Sequence, residues 1–338
     1  MGWITGVAIG LSSIVGLGAA YQWISTKKEE RMYPAPGKLV DVGGYRLHIY
    51  STGEGGPAVI LDAGGGCNSL DWALVQPEIA KFTQVCSYDR AGFGWSEESP
   101  TSRTSKNFVE ELHTLLQNAA IPTPYILVGH SLGGLNVRLY ASLYPDEVAG
   151  VVLVDSSHET QFERYPPPPT SGWLQHFLTN KKICLLMANL GLFRLFYTSM
   201  MHKVLHAFPP EIRNAYCAKS NTVASIRAKL EEVDKLKESA QQLKEDGGSI
   251  GNKPLIVITA ESLDRNSALY GSSPELKDYI CTISKIHQEL QKDLVNKSTQ
   301  GKQIFAENSS HMVTHDNPEI IVDVVRDMIK QQRDKASF

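Results

Sequence analysis

The sequence has few cysteines, and none of them is placed for chemistry. Its five thiols (Cys67, Cys86, Cys184, Cys217 and Cys281) are an odd, scattered set with no C-x-x-C pair and no Cys/His cluster. That spacing excludes a structural zinc site and a disulfide framework. Free thiols fit a reducing compartment, and Cys86 within TQVCSYD reads as a small buried hydrophobe. A strong excess of charge is missing too. The net charge is −3 over 338 residues, so no positive field argues for a nucleic-acid partner. The glycine-rich stretch DAGGGCNS lacks the lysine of a phosphate loop. There is no internal repeat, and low complexity is confined to the prolines at 166–169. Neither a metal nor a cofactor is expected.

What remains is the composition of a folded chain, 42% hydrophobic and 20% charged, long enough for one large α/β domain with an insertion. Charge is absent altogether from the first 26 residues, MGWITGVAIGLSSIVGLGAAYQWIST. As a helix this run would be roughly 39 Å long, more than the ~30 Å of a bilayer's hydrocarbon core. Trp3, Tyr21 and Trp23 lie near its ends, as interfacial aromatics would. Lys27, Lys28 and Arg31 follow it, the reverse of a cleaved signal peptide. Residues 1–26 are therefore expected to be a single membrane anchor and 27–36 a linker. The basic flank would put the following domain on the cytosolic side, although two glycosylation triplets, Asn296-Lys-Ser and Asn308-Ser-Ser, point the other way.

Beyond the linker, KLVDVGGYRLHIYSTG alternates apolar and polar residues around Gly43-Gly44, a hairpin pattern. PAVILDAGGG, TQVCSYDRAGFG, PYILVGHS, VAGVVLVDSS, PLIVITA and KQIFAEN read as short strands. Helical stretches such as KNFVEELHTLLQNAA and LNVRLYASLYP lie between them. Strands alternating with helices predict a mostly parallel sheet covered on both faces. Residues 158–250 break the rhythm: they hold the prolines, the apolar stretch ICLLMANLGLFRLF and the charged amphipathic stretch SIRAKLEEVDKLKESAQQLKED, but no strand. They are expected to form a helical cap over the carboxyl ends of the strands, where open α/β sheets bind ligands. The core would then comprise residues 37–157 and 251–338.

GHSLGG, directly after the strand YILV, is the G-x-S-x-G pattern of a serine held in a sharp strand-to-helix corner, with Ser131 as candidate nucleophile. A serine hydroxyl needs a base. His130 adjoins it, but alternation along a strand turns its side chain away. His311 follows the last strand and reaches the same sheet edge, so it is expected to be the base. His315, four residues on, reads as a helix cap. The base needs a carboxylate to hold its tautomer. Asp155 ends VAGVVLVD and Asp264 follows PLIVITA; either loop reaches His311. A tetrahedral oxyanion needs backbone donors, expected from the amides of Leu132 and of Gly65 in DAGGGCNS.

Together these motifs resemble the α/β-hydrolase superfamily. The resemblance runs from KLVDVGGYRLHIYSTGEG through LDAGGGCNSLDW, SYDRAGFGWS and LVGHSLGGLNVRLYASLYPDEVAGVVLVDSSHE to SSHMVTHDNPE. It is nearest to membrane-anchored, poorly characterised members carrying VLVDSSHE. It implies the α/β-hydrolase fold and a serine nucleophile, unlike the epoxide hydrolase and dehalogenase branches, where aspartate attacks. The usual His-Gly pair of the oxyanion loop is Ala63-Gly64 here, keeping the amide and losing the histidine. Members with the acid one strand earlier than usual resemble VLVD, which favours Asp155 over Asp264. The expected activity is hydrolysis of a carboxylic ester through an acyl-enzyme. An amidase or thioesterase on the same triad, or a binding protein keeping the fold, are the alternatives. The anchor and the apolar insertion suggest a small-molecule or lipid ester as substrate.

Overall fold

The computed structural model describes residues 2–169, 180–261 and 274–336. Its centre is an eight-stranded sheet. The strands are β1 (Lys38–Asp41), β2 (Arg46–Thr52), β3 (Ala58–Asp62), β4 (Val85–Tyr88), β5 (Tyr125–His130), β6 (Val148–Val154), β7 (Gly251–Ala260) and β8 (Ser298–Ala306), ordered β1-β2-β4-β3-β5-β6-β7-β8. β1 and β2 form the hairpin around Gly43-Gly44, and β2 joins β4 antiparallel. From β4 onward every pairing is parallel.

The central strands are apolar on both faces because helices cover both. Successive side chains alternate, so Ala58 and Ile60 enter one core while Val59 and Leu61 enter the other. Helix α3 (Ser105–Asn118) buries Phe108, Val109, Leu112, Leu115 and Leu116 on the first face, beside α4 (Leu132–Leu143). Helix α12 (Pro318–Ala336) buries Ile321, Val325, Met328 and Ile329 on the second. Both stripes follow helical spacing.

Between β6 and β7 the described chain is helical throughout: α5 (Gln161–Arg164), α6 (Lys181–Asn189), α7 (Leu192–Val204), α8 (Pro210–Ser220) and α9 (Val223–Glu245). Helix α10 (Pro274–Val295) joins β7 to β8, and the short α11 (Val313–Asp316) precedes α12.

The first helix, α1, corrects the expectation of a membrane anchor. It spans Gly2–Met32, passing without a break through Lys27, Lys28, Glu29 and Glu30. No helix among the described residues is long and apolar enough to cross a membrane. The physical reason lies in its second half, which is docked on the helical insertion. Gln22 is buried and donates to the Asn221 carbonyl (3.0 Å). The buried Arg194 of α7 donates to Gln22 Oε1 (2.7 Å), Thr26 Oγ1 (2.8 Å) and both carboxylate oxygens of Glu29 (2.5 Å each). A polar seam against protein takes the place of a lipid-facing surface. The inference of a cytosolic-facing domain, which rested on that anchor, falls with it.

Arg194→Ala removes the guanidinium that donates to Gln22, Thr26 and Glu29, leaving the Gln22 amide as the remaining donor of this seam and Glu29 without its partner, which costs about 1–3 kcal/mol. Amide exchange in residues 20–32 should accelerate about tenfold or more, while β5 and β6 keep their protection. Unchanged exchange in α1 would contradict the docking.

Candidate active site

Parallel register brings the carboxyl ends of the central strands to one edge. Asp62 pairs with Gly129, His130 with Val154, Val154 with Ile258 and Ala260 with Ala306. Ser131, Asp155 and the loop carrying His311 all leave the sheet at that edge.

Ser131 stands between β5 and α4 with φ 51° and ψ −116°, a conformation that costs a non-glycine residue about 1–3 kcal/mol. Its surroundings hold it there. The Ser131 amide donates to the Val154 carbonyl (3.2 Å), while its own carbonyl accepts from Gly134 N (3.0 Å) and Ser157 N (2.9 Å). The flanking glycines are required by close approach: a Cβ on Gly129 would lie 2.4 Å from the Gly133 carbonyl oxygen, and one on Gly133 2.3 Å from that of Asp62. The elbow is thus a corner into which only bare backbone fits.

Asp155, the residue after β6, is fully buried and also has positive φ (40°). Its amide donates to the Ile258 carbonyl (2.7 Å). Oδ1 accepts from Ala260 N (3.0 Å) and His287 Nε2 (3.1 Å), and Oδ2 lies 2.6 Å from His311 Nδ1. Burial pushes this carboxyl up, but the His287 and His311 imidazoles outweigh it and hold Asp155 below the ordinary carboxylate range. An ionised Asp155 can only accept, so the network assigns the His311 proton to Nδ1 and leaves Nε2 free to take another. By the same logic His287 carries its proton on Nε2, and its Nδ1 accepts from the Tyr165 hydroxyl (3.0 Å). Of the two candidate acids, Asp155 meets His311; Asp264 lies outside the described residues.

His130 touches the site. It is buried, its ring is 4.9 Å from that of His311, and Nε2 donates to the His311 carbonyl (2.8 Å). Burial and the neighbouring His311 push it down to about 4, so it stays neutral. His315 turns elsewhere, its Nε2 3.0 Å from Oδ1 of the buried Asp71.

Gly65 packs over the start of α4: a Cβ there would sit 3.5 Å from Leu132 Cδ2. The amides of Leu132 and Gly65 are not used in any hydrogen bond among the described residues, while that of the next residue, Gly66, is taken by Glu232 Oε2 (2.8 Å). The loop is held from beneath by the buried Arg90. Its guanidinium donates to Asp62 Oδ1 (2.8 Å), to the carbonyls of Ala63 (2.8 Å) and Gly64 (2.6 Å), and to Glu232 Oε1 (2.8 Å). Arg90 and Glu232 therefore couple the glycine loop to α9.

Sequence reasoning missed His287, Tyr165, Arg90 and Glu232. Arg90 lies inside SYDRAGFG, where a charged residue at a strand end gave a signal. His287 and Glu232 sit among charged residues of amphipathic helices, and Tyr165 precedes the prolines; packing alone reveals them.

The chain belongs to the alpha/beta hydrolase fold family, whose sequence profile matches residues 57–230. It is 18% identical to the Cif epoxide hydrolase from Acinetobacter nosocomialis, with a TM-score of 0.68 over 92% of this chain and 96% of that one. A putative lipase from Acinetobacter baumannii AYE is likewise 18% identical, with a TM-score of 0.62 over 93% and 97% of the two chains. Identities this low establish the shared fold. Among curated relatives, a probable transporter, efuK, of Hormonema carpetanum is 24% identical over 321 residues, covering 89% of this chain. The chain spans only 44% of that relative's length.

The depressed Asp155 carboxyl sets a pH dependence. A group ionised more readily folded than unfolded stabilises the native state above its unfolded pKa, ~3.9, and loses that contribution as pH falls through the folded value. The stability gap between wild type and Asp155→Asn, read from urea midpoints, should be widest near neutrality and narrow below about pH 4. A gap equal at pH 7 and pH 3 would contradict the ionised assignment.

Proposed function

We propose that the protein is a serine hydrolase of carboxylic esters acting through an acyl-enzyme, with Ser131 as nucleophile, His311 as base and Asp155 as the acid that orients it. The observation that carries this reading is the 2.6 Å contact between His311 Nδ1 and Asp155, at the sheet edge that also presents the strained Ser131. A serine in the corner sets this chain apart from an aspartate-nucleophile mechanism despite its epoxide hydrolase neighbour.

His311 Nε2 takes the Ser131 hydroxyl proton as Oγ bonds to the ester carbonyl carbon. The amides of Leu132 and Gly65 receive the oxyanion. Collapse breaks the carbon–oxygen bond to the alcohol, which leaves with the proton from His311. Water then gives a proton to His311 while its oxygen attacks the acyl carbon, and the second collapse releases the acid and restores Ser131. General-base action contributes roughly 10²–10⁴-fold, and each oxyanion donor roughly 10²–10³-fold. The helical insertion caps this edge, bringing Glu232 onto the loop that carries one donor. With α1 docked on protein, the case for a lipid ester loses the support of the anchor, and a small ester remains.

A fluorophosphonate probe should label the folded protein at Ser131, and Ser131→Ala should abolish both labelling and ester turnover. An unlabelled, folded wild type would refute the reading. His287 serves as a positioning residue, because its bond to Asp155 Oδ1 leaves Oδ2 for His311. His287→Phe should lower kcat about 10–100-fold with KM little changed, and His287→Gln, which keeps an N–H, should recover most of the loss. Equal kcat in both variants and wild type would remove the role.

A further inference from the structure

Two loops from opposite halves of the chain must serve one reacting carbonyl. The glycine loop brings the Gly65 amide, and the loop after β8 brings His311. No backbone hydrogen bond joins these loops among the described residues. A buried side-chain pair does. Asp71, six residues after Gly65, lies in the short turn Ser69–Trp72, and His315 lies in α11. The His315 Nε2 to Asp71 Oδ1 distance is 3.0 Å, and the two side chains are 4% and 0% exposed.

Each end of this bond is fixed to its own loop. On the glycine side, Cys67 N donates to the Gly64 carbonyl (3.2 Å), Asp71 N donates to the Asn68 carbonyl (3.0 Å), and Asn68 Oδ1 accepts from Leu70 N (3.0 Å). On the histidine side, Asp316 Oδ2 accepts from the amide (2.8 Å) and hydroxyl (2.6 Å) of Ser310, and His315 N donates to the Met312 carbonyl (2.8 Å). His311 is held inside that closed turn. Burial pushes the Asp71 carboxyl up, but His315 outweighs it and holds Asp71 below the ordinary carboxylate range. An ionised Asp71 only accepts, so the His315 proton belongs on Nε2. The other ring nitrogen of His315 is buried and meets no hydrogen-bond partner among the described residues, so Asp71 is the polar contact that orients the ring. The buried Phe208 of the helical insertion meets the same ring edge-on, with centroids 4.6 Å apart, and its cluster packs on Leu70. The insertion thus keeps water from the pair, and a charge-assisted hydrogen bond is strong in such surroundings.

We infer that Asp71 and His315 are positioning residues for the ester hydrolysis: the bond between them fixes the span from the Gly65 amide to His311 Nε2, so that donor and base reach the same carbonyl together. This rests on the serine-hydrolase reading above and adds two residues to it. Both act through other groups, Asp71 through the glycine loop and His315 through the turn that carries the base. A displacement of about 1 Å between such groups costs up to ~100-fold in rate.

The test measures turnover of p-nitrophenyl butyrate by the full chain, per Ser131 titrated to completion with a fluorophosphonate, so that a loss of folded protein does not register. His315→Leu, which keeps an apolar contact for Phe208 and loses the N–H, should lower kcat about 10–100-fold with KM little changed. His315→Gln, which keeps an N–H donor, should recover most of that loss. Asp71→Asn, which keeps an acceptor oxygen and loses the charge, should lower kcat about 3–10-fold. The double variant Asp71→Asn/His315→Leu should lose no more than His315→Leu alone, because the pair acts as one unit. An unchanged kcat per site in His315→Leu, equal losses in His315→Leu and His315→Gln, or additive losses in the double variant would overturn the inference and leave the hydrolase reading in place. Should His315→Leu fail to fold, a kcat for Asp71→Asn equal to wild type would overturn it as well. Absence of any Ser131 adduct in folded wild type would overturn both.

Discussion

A carboxylate with no exposure to water is shared by two imidazoles at the end of β6, and the rest of the site depends on it. Asp155 takes hydrogen bonds from His287, His311 and the Ala260 amide, and its own amide is tied to β7. A buried charge depends on its donors, and removing any one of them weakens the compensation that keeps it ionised. The positions of α10, of the loop after β8 and of β7 are therefore coupled through one side chain. The tautomer of His311, and with it the free Nε2, follows from that coupling.

The glycine loop is governed by a second buried ion network. Arg90 spans Asp62 at the end of β3, two loop carbonyls and Glu232 from the helical insertion. The loop has little side-chain packing of its own, so its path is set by donors and acceptors. A guanidinium can do this because its planar fork presents several N–H groups in fixed directions. Insertion and site are thus one electrostatic unit, and a rearrangement of α9 would reach the Gly65 amide through Glu232 and Gly66.

Local patterns made much of this legible. Alternating strands and helices carried the parallel sheet, GHSLGG carried the elbow, and the loop after KQIFAEN carried His311. Each of these depends on residues close together in the chain. The failures have the opposite character. The uncharged run at 1–26 has the length and apolarity of a span when read alone, but Arg194, more than 160 positions away, supplies the partner for Gln22 and Glu29. Likewise, no local pattern separates His287 from the solvated residues around it. Its burial comes from the packing of α10 against a carboxylate that lies 132 positions earlier. The choice between two aspartates was open for the same reason, because both strand ends reach one edge.

The most direct test of the account is a crystal structure of the protein after reaction with a fluorophosphonate. The account predicts a phosphonyl group on Ser131 Oγ, its phosphoryl oxygen about 2.7–3.1 Å from the Leu132 and Gly65 amides, and His311 still bonded to Asp155. Phosphonylation at another residue, or a phosphoryl oxygen turned to solvent with His311 away from Asp155, would contradict it.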